Sequence, residues 1–323
     1  MPAVTGWPAP DTPLAHGGAA EQAWTNLGLV TVLALVSAGY GRGVHELWSR
    51  RGPGVVVARW RVGAFVLGIG ALLTASTGPI HEVAERSFAG HMAQHMVLLV
   101  VAGPALGAAA VGLPLALAAP RRLRRYWARW RASTVGTWLR RPGSLTVLAG
   151  VLHGAALWGW HLPTPYRLAT ENGFVHLVEH ASFVVAAALL WSVVLGTGRH
   201  RVEAPVAVLL LVATMLVASA LGAALTLAPV AVYPVGALAP RGGDPLVDQQ
   251  LAGLLMWIPM DVVVLVAAAV VFLRWFTGLD RVSPRTTGLS PGDRFDGAGP
   301  EPAGRGGTTD GPPVGPAVGR ETR

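Results

Sequence analysis

Seven long apolar runs, near residues 24–41, 57–77, 89–113, 143–162, 173–196, 205–228 and 249–276, limit what this chain can fold into more than any other feature. About 20 residues at about 1.5 Å each span a hydrocarbon layer, and a helix satisfies its backbone hydrogen bonds internally there. Composition agrees: 52% hydrophobic against 13% charged over 323 residues, with a mean hydropathy of +0.48, is not a soluble balance. The expected fold is an all-α polytopic membrane helix bundle of seven transmembrane helices. Pro104 and Pro114 should kink the third span, which then finishes as an interfacial piece, and Pro259 should bend the seventh.

Arginine-rich short loops stay in the cytoplasm, so the charge distribution sets an expected orientation. Up to residue 279, 16 of 19 arginines fall on one side of the spans, and only Arg86, Arg167 and Arg241 on the other. This places the N-terminus outside and the C-terminus in the cytoplasm. The expected organisation is an extracytoplasmic tail over 1–22, a membrane domain over 23–277 and a disordered cytoplasmic tail over 278–323, rich in Gly and Pro. The first twenty residues carry no arginine, so they lack the basic start of a cleaved signal peptide.

The formal charge of +8 is carried by arginine alone, which on one soluble face would suggest nucleic acid. Here the densest stretch, residues 121–141, interleaves arginine with Trp127, Trp130 and Trp138 between two spans. That pattern suits the anionic inner surface of a lipid bilayer, and no nucleic acid partner is expected. With no cysteine the chain has no thiolate ligand or nucleophile, so any metal must be held by His, Met or carboxylate.

Ionisable groups inside a membrane are costly and mark functional sites. Six of the ten histidines, His91, His95, His153, His161, His176 and His180, fall in the outer halves of the third, fourth and fifth spans or near the midplane. In HMAQH at 91–95, His91, Gln94 and His95 share one helical face; in HLVEH at 176–180, His176, Glu179 and His180 share another. Two such stripes at matched depth point to a metal or cofactor site. A single membrane histidine such as His153 or His161 more often bonds a neighbouring helix. Imidazole and thioether ligands suit copper, though Met92 and Met96 sit about 100° around the helix from the histidine stripe. Asp248 and Gln249 stand at the outer mouth of the seventh span, and Asp261 near its middle.

With these residues the chain resembles the CtaG-type cytochrome c oxidase assembly factors of bacterial membranes. The resemblance rests on GHMAQHMVLLVVAGPALGAAAVGLPLAL at 90–117, HLPTPY at 161–166, HLVEH at 176–180 and DQQLAGLLMWIP at 248–259, in that order over roughly residues 60–276. It implies a multi-pass protein of the bacterial plasma membrane that assists oxidase biogenesis, has cytochrome c oxidase subunits as partners and is not an enzyme. It also implies a copper ion handled at His91, His95, His176, His180 and Asp248, with His161 beside them. The chain departs from the family in the basic stretch after the third span and in its C-terminal tail. Three rivals stay open, a simple transporter among them. HxxEH supplies zinc ligands and a general base in membrane metallohydrolases, and histidines on facing helices are the axial ligands of a haem-binding electron carrier.

Overall fold

The computed structural model describes residues 19–196, 202–233 and 243–282. His16, Arg199, His200, Arg201, Arg241 and most of the two expected tails lie outside the described residues, although the first helix already begins at Ala19. Among the described residues every regular element is helical. Six helices are long and apolar enough to cross a membrane, and a bent pair makes a seventh crossing if it is counted as one span.

Helix α1 (Ala19–Arg51) runs past the expected end at residue 41, and Arg50 and Arg51 in its last turn favour its negative dipole end. Helix α2 (Arg59–Thr77) comes next and is followed by a single short helix, α3 (Pro79–Ala84). The third span is compound: α4 (Phe88–Met96), a π-helical segment Val97–Ala102, α5 (Gly103–Ala108), then a separate α6 (Gly112–Ala118). Pro104 explains the break. Its ring would meet the carbonyl four residues back in a regular helix, and the chain widens instead, with the Gly103 N–H donating to Leu98 O. Between α5 and α6, Ala110 has φ +53°. Pro114 lies inside α6, a short helix packed on α1, so the interfacial piece expected there is a distinct element.

Two helices then make up the basic stretch, α7 (Arg121–Ala132) and α8 (Thr134–Leu139). No residue of α7 is buried; Leu123, Tyr126, Trp127 and Trp130 share one of its faces while arginines occupy the rest. Helix α9 (Pro142–Trp160) and α10 (Pro163–Glu171) form the bent pair, their axes 74° apart across His161 and Leu162. Pro163 starts α10 because a proline is tolerated in a first helical turn but not in the middle of α9. The remaining spans are α11 (Gly173–Leu195), α12 (Ala204–Thr226) and α13 (Pro245–Val282). Helix α13 passes through Pro259 without interruption.

Helix α11 is central, packed on α5, α9, α10 and the π segment. Lipid tails are as apolar as leucine, so close backbone approach rather than water exclusion holds such helices together. Gly103 and Gly107 provide it: a Cβ on either would run into Ala187 or into the Ala188–Trp191 stretch of α11. Large apolar side chains left exposed, among them Leu35, Leu67, Leu209, Leu216 and Leu265, lie on spans, where the surrounding solvent is hydrocarbon.

The two ends of the bundle differ in chemistry. At one end Arg61 of α2, only 8% exposed, donates to Ala108 O, lies over the Trp60 ring at 4.5 Å, and shares its corner with Tyr40, whose hydroxyl reaches Ala109 O at 3.3 Å. This arginine serves a carbonyl that the end of α5 would otherwise leave unpaired. The opposite end gathers the starts of α4, α11 and α13, and there the histidines collect.

Candidate metal centre

Capping fixes where the histidines stand. At the start of α4 the Ser87 side chain accepts from Gly90 N–H at 3.0 Å, and the Asp248 carboxylate accepts from Phe88 N–H at 2.8 Å and Ala89 N–H at 3.2 Å. With those first-turn donors satisfied, α4 begins firmly enough to set His91 and His95 one turn apart on a single face. On α11 the Asn172 side chain accepts from Val175 N–H at 3.0 Å, so His176 and His180 fall within the first turns.

The two stripes face each other. Ring centroids lie 5.3 Å apart for His91 and His176 and 5.3 Å for His95 and His180; within the stripes the separations are 4.3 Å and 4.1 Å. One ligand atom from each of His91, His95, His176 and Glu179 can be chosen so that all four lie within 4.8 Å of one another, and all four residues are buried. His95 Nε2 and Glu179 Oε1 are 3.7 Å apart, longer than a hydrogen bond. Among the described residues, neither ring nitrogen of His95 and neither carboxylate oxygen of Glu179 has a hydrogen-bond partner. Buried polar groups are rarely left this way. A cation between them would satisfy both at once, and the donor set of imidazoles with one carboxylate suits a first-row transition metal.

The other expected site residues stand around this group in different roles. His180 approaches Ser76 Oγ of α2 at 3.5 Å through Nδ1. Asp248 spends its carboxylate on the two α4 amides, outside the four-atom group. His161, at the bend between α9 and α10, places its ring 6.2 Å from that of His95. Its Nδ1 lies 2.6 Å from Leu157 O and its Nε2 lies 3.2 Å from Met92 Sδ. Tyr233 donates to His161 O at 2.6 Å; burial, and then the Glu179 charge, push the Tyr233 hydroxyl above its usual ionisation range, which keeps it a donor. His153 is buried on α9, with no partner at Nδ1. Asp261 accepts from Ser219 Oγ and Trp257 Nε1, each at 2.8 Å, tying α12 to α13.

His81 lies between the second and third apolar runs and was not among the histidines that sequence reasoning gave to the site. The structure brings its ring 6.1 Å from His176 and its Nε2 3.5 Å from Glu85 Oε1, while Gln94 Nε2 lies 3.1 Å from its Nδ1. Gln94 also donates to Ala75 O at 2.6 Å, so the amide in the middle of HMAQH locks α4 to α2 and α3. Glu179 was read as one member of a stripe; its carboxylate now stands among the four close ligand atoms. The only sequence signal for that role was its shared face with His176.

A family model described as cytochrome c oxidase caa3 assembly factor (Caa3_CtaG) matches residues 38–278 of the chain, a stretch that contains every residue of the cluster. No curated protein and no solved structure matches it.

Proposed function

The chain belongs to the cytochrome c oxidase caa3 assembly factor family, and from that membership we propose that it receives copper as cargo at the His91, His95, His176 and Glu179 cluster during oxidase assembly. The observation that carries the reading is the group of four buried ligand atoms within 4.8 Å, with His95 and Glu179 otherwise unpartnered. His180 orients beside the group, and Asp248 acts through α4, holding His91 and His95 in place.

The arginine distribution supports an orientation with the cluster toward the outer face of a bacterial plasma membrane, where copper would be loaded before transfer to an oxidase subunit. The family role is assembly. A hydrolytic use of HxxEH calls for a glutamate that stands back as a base, and here Glu179 is among the four ligand atoms. For axial haem ligation the macrocycle would have to displace packed rings, since the fully buried Phe183 lies 4.8 Å from His95.

The test is metal analysis of the purified full chain, wild type against a His95→Ala/His180→Ala double variant, joined to oxidase activity in a deletion strain carrying each. The expected result is copper retained by the wild type and lost by the variant, with oxidase activity lost in parallel at normal protein abundance. Full oxidase activity from a variant that holds no copper would overturn the cargo reading and leave assembly by scaffolding.

A further inference from the structure

The contact between His161 and Met92 is unusual for a hydrogen bond. A neutral imidazole carries one N–H, and His161 has acceptors facing both nitrogens: Leu157 O at 2.6 Å from Nδ1 and the Met92 thioether at 3.2 Å from Nε2. The shorter contact, to the far stronger acceptor, takes the proton. Nε2 then presents a lone pair toward a sulfur that also presents lone pairs, in a fully closed environment: Met92 is 0% exposed and His161 6%. Two bare donor atoms facing each other have the chemistry of two ligands in one coordination shell. Adjacent ligands of one tetrahedral or trigonal ion, at about 2.0 Å for nitrogen and about 2.3 Å for sulfur, stand about 3.5 Å apart.

Completing the shell requires a third donor, and His95 supplies it. Its ring lies 4.3 Å from that of His91 on one side and 6.2 Å from that of His161 on the other, and both its nitrogens lack partners. The geometry points to a second metal station built from His161 Nε2, Met92 Sδ and His95, selective for monovalent copper and sharing His95 with the His91, His176 and Glu179 group. This deepens the copper reading proposed above and rests on it.

The chemistry of the two stations differs in the sense that matters for copper. A carboxylate with imidazoles favours the divalent ion, whereas a thioether favours the monovalent one. His95 belongs to both, and the oxidation state of the ion selects which station it takes. Helical spacing made Met92 look unrelated to the histidine stripe, and the ligand it meets lies on another span 69 residues away. The backbone supports the placement: the same His161 is held from behind by Tyr233 through its carbonyl.

The test is X-ray absorption at the copper edge on the full chain in lipid nanodiscs, loaded without oxygen with Cu(I) and separately in air with Cu(II). We expect a copper–sulfur shell in the Cu(I) sample and nitrogen and oxygen alone in the Cu(II) sample. Met92→Leu, which conserves volume, should remove the sulfur shell and weaken Cu(I) binding by about tenfold or more, with Cu(II) affinity changed less than about threefold. The wild-type comparison needs no variant to fold. Cu(I) bound through nitrogen and oxygen alone would overturn the second station and leave the His/Glu cluster standing. A sulfur shell that survives Met92→Leu would also overturn it, by assigning the sulfur elsewhere. Failure to bind either ion would defeat both this station and the copper reading beneath it.

Discussion

Two buried polar corners of this bundle make opposite use of the same expensive material. At the Arg61 corner the guanidinium meets Ala108 O and the Trp60 ring, and Tyr40 reaches Ala109 O. At the histidine corner, His95 and Glu179 are as deeply buried and yet have no hydrogen-bond partner at their side-chain nitrogens and oxygens. A satisfied buried network fixes structure, while an unsatisfied one costs stability until something fills it. The difference separates a residue that holds the fold from one that, on the copper reading proposed above, waits for a ligand. Asp248 and Glu179 repeat the lesson within a single site: the former accepts two backbone N–H groups, and the latter accepts none.

Substitutions can break or sharpen this contrast. The largest effect belongs to Glu179→Gln, which removes the one anionic member of the proposed ligand set. Affinity for Cu(II) should fall by about a hundredfold or more, while the thermal midpoint of the metal-free protein stays level or rises, because an unpartnered carboxylate is gone. A collapse of the metal-free fold would show that Glu179 is structural after all.

Next comes Arg61→Ala, with the opposite signature. Leaving Ala108 O without its donor and Trp60 without its cation should cost about 2–4 kcal/mol, seen as a lowered unfolding midpoint in detergent, with metal stoichiometry unchanged. Metal loss at full stability would erase the distinction between the corners. Asp248→Asn should fall between them, costing about 1–2 kcal/mol through the weakened cap on α4 and loosening metal affinity only by way of His91 and His95. Rescue of affinity at lower temperature would mark it as a positioning residue, whereas loss at every temperature would make it a ligand. Smallest is Ser219→Ala, whose bond to Asp261 ties α12 to α13 far from the cluster. About 1 kcal/mol or less and no change in copper content are expected; a change in copper content would extend the functional region to mid-span.

Apolar runs and helical spacing made the spans and both histidine stripes legible in the sequence, because those patterns act within one helix. What escaped notice depends on neighbours distant in the chain. Nothing in HLPTPY announced that His161 turns toward Met92, and nothing near Pro79 announced that α3 folds His81 against His176. The resemblance implied a place for Asp248 at the site, and helical spacing gives no account of which amides its carboxylate meets. Pro104 signalled a break in the third span, but not that the chain would widen over the six residues before it.

That widened turn, Val97–Ala102, sits between the histidines of α4 and the small-residue seam of α5. Each residue of an α-helix advances the side-chain direction by about 100°, so the surplus in the π turn works as a phase setting between the two halves of the span. It lets His91 and His95 address the start of α11 while Gly103 and Gly107 still meet Ala187 and Trp191 further along the same helix. The same residues wound as an ordinary helix through this turn would put those two surfaces about 100° out of phase. Any side chain in the turn is thereby more replaceable than its widened geometry.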